Sequence, residues 1–222
     1  MQKKADIPYK QELLRKSIHL TSLLIPVLYI PMSKSLALKI LIPITLVALL
    51  GDVIRHFLSP VQTIVKKYFG AMMRQHELDE NRFILNGATY VLLAACVSVI
   101  IFPKIIAITA FSILIISDLS AALIGRKFGK RPFFDKSLEG TATFVITAIS
   151  IVLVIGINAG APWTFFLAGA MGGVAGGIIE AAAIKLRLDD NFAIPLTVGS
   201  LMWAMDFLFK NVHHISFVNL LQ

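Results

Sequence analysis

Between residues 117 and 141 the chain reads SDLSAALIGRKFGKRPFFDKSLEGT, and the residue types there fit one kind of chemistry. A carboxylate, Asp118, stands near the end of an apolar run, with Ala122 and Gly125 on its own helical face at spacings of four and seven. Five cations follow: Arg126, Lys127, Lys130, Arg131 and Lys136. Hard carboxylate oxygens suit a divalent cation. Lysine, arginine and the N–H groups that glycine leaves accessible suit phosphate. Gly125 and Gly129 are therefore candidates for a close backbone approach to an anion, with Arg126 and Lys130 to neutralise it. The GxxxxGK[ST] spacing of a P-loop is absent. Plainer readings stand beside these: Asp118 paired with Arg126 or Lys127, and the loop serving only to set membrane topology.

The stretch closes on Lys136-Ser137-Leu138-Glu139-Gly140-Thr141, where the next apolar run begins. Ser137 is a good N-cap and Glu139 suits the first helical turn. A lysine beside a helix N-terminus also makes a phosphate site, which gives Lys136 a use that capping does not.

The elements that position these residues follow from composition. Of 222 residues 57% are hydrophobic and 15% charged, and mean hydropathy is +0.79. That predicts a polytopic membrane protein, all-α, in a single transmembrane domain over 1–222. In such a chain a net charge of +8 marks cytoplasmic loops rather than a nucleic-acid partner. The single cysteine, Cys96, allows no disulfide and no cysteine metal cluster within one chain.

Apolar segments fall at about 18–32, 36–50, 84–102, 105–125, 141–157, 163–186 and 192–209, which predicts about seven spans. Segment 55–82 carries Val61, Ile64, Val65, Tyr68 and Phe69 at helical spacing and reads as an amphipathic helix on the membrane surface. Seven spans put 17 of the 21 Lys and Arg on one side, in the basic N-terminus 1–17, segment 55–82, loop 126–140 and turn 185–187. The positive-inside rule makes that side cytoplasmic, with the N-terminus inside. Short loops and the lack of a cleavable leader fit a prokaryotic cytoplasmic membrane.

Polar residues then gather at that level: His19, Asp52, Asn86, Asp118, Glu139, Glu180 and Asp189-Asp190-Asn191. An acid within a membrane span is costly unless paired or hydrated, so several acids at one depth mark a site. Asp189-Asp190-Asn191 offers oxygens to Mg²⁺ or caps the last span, a role Asn191 would fill. Gly169, Gly173 and Gly177, with Gly172 and Gly176 on an adjoining row, form a small-residue packing face that turns Glu180 inward. Asp206 lies apart, towards the other end. This inventory suits phosphoryl transfer, which is largely positioning and charge stabilisation.

At these residues the chain resembles the CTP-dependent lipid kinases that include dolichol kinase, phytol kinase and the yeast-type diacylglycerol kinase, distant relatives of the phosphatidate cytidylyltransferases. The similar pieces run in order along almost the whole chain: Glu12 to His19, Arg74 with Glu77, and Asn86 to Tyr90. Asp118-x-x-Ala121-Ala122-x-x-Gly125 with Gly129 comes next, then Lys136 to Thr141, Glu180, and Asp189 to Pro195. The resemblance implies transfer of the CTP γ-phosphate to the hydroxyl of a membrane lipid alcohol, a polyprenol, a phytol-like alcohol or a diacylglycerol. It implies Asp118 and Asp190 as Mg²⁺ ligands with Glu180 in support, and Lys136, Arg126 and Lys130 on the triphosphate. Arg15, His19 and Asn86 would complete the pocket, with Asp118 as general base and Glu139 a further catalytic candidate. The His-Gly-Gly and Asp-Arg signature of the cytidylyltransferases is missing, which favours a kinase over a CDP-lipid synthase. A small ion-coupled transporter is the rival of another class; the acids lie at one face rather than along a path, and no inverted repeat is evident.

Overall fold

The computed structural model describes residues 9–69 and 85–221. Residues 1–8 of the basic N-terminus, and Arg74, Glu77 and Arg82, lie outside them. The described chain is almost entirely helical: α1 Tyr9–Thr21, α2 Leu24–Tyr29, α3 Lys34–Phe57, α4 Ser59–Phe69, α5 Gly87–Ile101 and α6 Lys104–Phe128. A two-stranded hairpin, β1 Pro132–Phe133 and β2 Lys136–Ser137, precedes α7 Leu138–Asn158, α8 Trp163–Leu186 and α9 Asp190–His213.

Helix α6 is the axis. Its residues 105–115 are buried without a break, as expected of a helix apolar on every face. It packs against α7, α9, α1, α2 and α5. Around it the outward faces are also apolar: Ile44, Leu46, Val47 and Leu50 on α3, and Ile146, Val154 and Ile157 on α7, are all exposed. Apolar side chains on both the inside and the outside of a helix bundle place it in a bilayer. Helices α3, α6, α7, α8 and α9 are long and apolar enough to cross one.

The remaining two expected spans take a different form. Segment 18–32 is broken into α1 and α2. Pro26 has no N–H to donate to the Ser22 carbonyl, which instead accepts from Ile25 N at 3.0 Å, three residues on. The chain turns there rather than continuing. Helix α5 is apolar but has only 15 residues. Asn86 caps its start, accepting from Thr89 N at 3.0 Å, and Pro103 holds Phe102 extended at its end. Of segment 55–82, residues 55–57 complete α3, 59–69 form α4, and 70–82 lie outside the described residues; α4 packs on α3 with Val61 and Val65 half-buried and Ile64 exposed.

The glycine rows of α8 divide between two neighbours. A Cβ on Gly169, Gly173 or Gly177 would meet Val152, Ala148 or Val145 of α7, while one on Gly172 or Gly176 would meet Val198 of α9. Both helices therefore approach α8 closely. At the far end of α9, the buried carboxylate of Asp206 accepts from Phe217 N at 2.7 Å and from Ser216 Oγ at 3.0 and 3.1 Å. The Phe217 ring then packs edge-on to Phe165, 5.4 Å between centroids. Asp206, set apart in the sequence, is the tie that folds the last residues back onto the bundle.

Candidate functional site

The α6–α7 and α8–α9 connections lie at the same end of the bundle, and there the acids converge. Asp118 is nearly three turns from the end of α6, Glu180 under two turns from the end of α8, and Asp190 opens α9. Between the last two the chain turns sharply. Arg187 takes a left-handed conformation (φ 56°), and Leu188 N donates to the Ala183 carbonyl at 2.9 Å. Glu180 and Asp190 thus come face to face. The three acids are 1%, 1% and 5% exposed.

Two lysines enter the cluster. Lys16 of α1, 4% exposed, donates to Asp118 Oδ2. Lys136 of β2 donates to Glu180 Oε1, and its Nζ lies 3.8 Å from Asp190 Oδ2. Asp118 is within electrostatic reach of Lys16, Asp190, Lys136 and His19. Burial alone would depress the Lys136 ammonium, but the attraction of Glu180, then of Asp190 and Asp118, outweighs it and holds its pKa above the ordinary lysine value. Four buried polar atoms around the cluster find no hydrogen-bond partner among the described residues: Asp118 Oδ1, Glu180 Oε2, His19 Nε2 and Thr141 Oγ1. Buried oxygens left unpaired on two carboxylates are unfavourable unless water or a ligand reaches them.

The hairpin that delivers Lys136 was not foreseen in the basic loop. Pro132 pairs with Ser137 and Phe133 with Lys136, and Phe134 turns the chain with φ 49°. Asp135 docks this turn on α8, donating from its N–H to the Ala181 carbonyl at 3.1 Å and accepting from Lys185 N at 2.7 Å. Ser137 caps α7 as expected, accepting from Gly140 N at 3.2 Å.

Other expected site residues have structural work. Glu139 accepts from Lys130 N at 3.0 Å and Arg131 N at 3.3 Å, so it staples the loop instead of facing the cluster. Gly125 and Gly129 face Ser137: a Cβ would lie 3.1 Å from its Oγ at Gly125 and 2.5 Å at Gly129. These glycines admit the α7 N-cap rather than lining an open cradle. Asn86 is held by Asp52, which accepts from its N–H at 2.9 Å and its Nδ2 at 2.8 Å, and Arg55 pairs with the same acid at 3.2 Å. Asp189, not Asn191, caps α9, accepting from Asn191 N at 3.0 Å. Arg126 and Lys130 are exposed on the rim, and Arg15 is half-buried one residue before Lys16. The residue missed was Lys16, which takes the place beside Asp118 proposed for Arg126 or Lys127. Its helical phase with His19, three residues on, was the available signal.

Among the described residues no three His, Cys, Asp or Glu side chains are arranged to hold a metal ion alone. Mg²⁺ commonly takes only one or two protein carboxylates and completes its shell with water and substrate phosphate. The bare Glu180 Oε2 beside Asp190 fits that pattern.

Fold and site together define a polytopic helical membrane protein with a buried cluster of three carboxylates and two lysines at one end. Over 185 residues it is 31% identical to the uncharacterized protein RP860 of Rickettsia prowazekii, covering 82% of this chain and 89% of that one, and it belongs to the same family. No family model matches the chain. No solved structure matches it either.

Proposed function

We propose that the protein is a CTP-dependent lipid kinase, phosphorylating the hydroxyl of a membrane lipid alcohol at the cytoplasmic interface. The observation that carries this reading is the convergence of Asp118, Lys136, Glu180, Asp190 and Lys16 from five separate elements on one buried point. A purely structural ion pair needs only two residues.

In this reading Lys16 holds one oxygen of Asp118 and leaves Oδ1 to take the proton of the lipid hydroxyl. The lipid oxygen then bonds to the γ-phosphorus, the bond from that phosphorus to the β,γ-bridging oxygen breaks, and CDP leaves with the electron pair. Glu180 and Asp190 would hold Mg²⁺, which when bound neutralises phosphate charge. Lys136, with Arg126 and Lys130 on the rim, would receive the triphosphate. The exposed apolar flanks of the bundle give a lipid alcohol a route to this depth.

The test offers purified protein in detergent Mg²⁺ and CTP labelled at either the α- or the γ-phosphate, with polyprenol, phytol, diacylglycerol or phosphatidate. Label from the γ position in an alcohol, lost in Asp118→Asn, is the expected result. Label from the α position in phosphatidate would instead identify a CDP-lipid synthase. Transfer from neither, with no CTP binding, would sink the enzyme reading in favour of a transporter.

A further inference from the structure

The Lys136 ammonium stands between the carboxylates of Glu180 and Asp190. It bonds Glu180 Oε1 and lies 3.8 Å from Asp190 Oδ2, while Glu180 Oε2, beside it, has no hydrogen-bond partner among the described residues. The two sides of this contact differ in freedom. The Glu180 and Asp190 side chains are 1% and 7% exposed and project from long helices, whereas the Lys136 side chain is 30% exposed and comes from a two-residue strand. The lysine side chain has an exposed side to turn towards, and the two acids do not.

We propose that the Lys136 ammonium is a built-in plug in a divalent-cation site formed by Glu180 and Asp190, and that a metal ion displaces it. This rests on the cluster being a metal- and phosphate-handling site, but not on which nucleotide or lipid it serves. The exchange is balanced in charge terms. A dication meets two carboxylates that one monocation only half neutralises, and the released ammonium turns to the phosphate that arrives with the metal. Until then Lys136 keeps two buried acids from facing each other bare in the membrane. Metal alone therefore binds weakly to the resting protein, because it must compete with a tethered cation.

Mn²⁺ titrated into detergent-solubilised protein, read by the loss of free-ion EPR signal with no nucleotide or lipid, tests this directly. Lys136→Met should bind Mn²⁺ roughly tenfold tighter than wild type or better, since a like charge beside the ion is gone. Lys127→Ala removes an exposed cation at the same end and should leave the affinity unchanged. Affinity in Lys136→Met equal to or weaker than wild type would overturn the proposal. Wild-type protein gives a second readout that needs no variant. Saturating Mg²⁺ should speed acylation of Lys136 by an amine-reactive reagent, measured by mass spectrometry against Lys127, and an unchanged rate would overturn it. Tighter Mn²⁺ binding in a chain that transfers no phosphate leaves the plug standing and removes the kinase; γ-transfer with unchanged affinity does the reverse.

Discussion

Lys16 and Asp118 sit 102 residues apart in sequence and form an enclosed ion pair, with side chains 5% and 2% exposed. Breaking a buried pair from one side strands a charge, typically at about 3–5 kcal/mol, whereas removing both partners is far milder. Lys16→Met should therefore lower the denaturation midpoint in detergent sharply, and Lys16→Met with Asp118→Asn should recover most of the loss. If the double variant is as unstable as the single one, the pair is not what holds α1 to α6. The acids of this cluster were legible in the sequence because a carboxylate in an apolar run is too costly to keep without a partner or a task. Lys16 was not, because it lies among basic N-terminal residues and topology accounts for all of them equally well. Glycines misled for a related reason. Gly125 and Gly129 lack a side chain, and an absent Cβ looks the same whether phosphate or the hydroxyl of Ser137 fills the space.

Among the elements, α8 is constrained on two sides, by α7 and by α9. A Cβ on Gly173 would come within 2.8 Å of the Ala148 methyl, and both belong to helices fixed along their length. Gly173→Ala should destabilise the protein by about 1–3 kcal/mol, the usual range for overpacking, and adding Ala148→Gly should restore it. Failure of that rescue would mean the α7–α8 crossing is not set by this contact. The packing role of these glycines was readable from their four-residue period. The β1–β2 hairpin was not, since strands of two residues are too short to show any alternation. The break in the first apolar segment turns on Pro26, whose missing N–H leaves the Ser22 carbonyl to Ile25, a contact that hydropathy does not register.

At the scale of the whole molecule, the cluster end and the Asp206 end lie at opposite ends of α9, which is long enough to cross a bilayer. Cys96 is buried, 8% exposed, so engineered thiols can be read against a quiet background. Lys127→Cys and Asn211→Cys, both at exposed positions, should react with an impermeant maleimide from opposite faces of sealed vesicles. Lys127→Cys should label from the cytoplasmic face, following the charge asymmetry. Labelling of both from one face would break the orientation on which the proposed site depends. The tie at Asp206 has a consequence in time as well as space. Its donors, Ser216 and Phe217, lie beyond the end of α9, so the helix can form first, and its buried carboxylate gains these donors only when the last residues fold back. A chain truncated before Ser216 would keep the whole of α9 and leave the buried Asp206 carboxylate without the donors that close this end of the bundle.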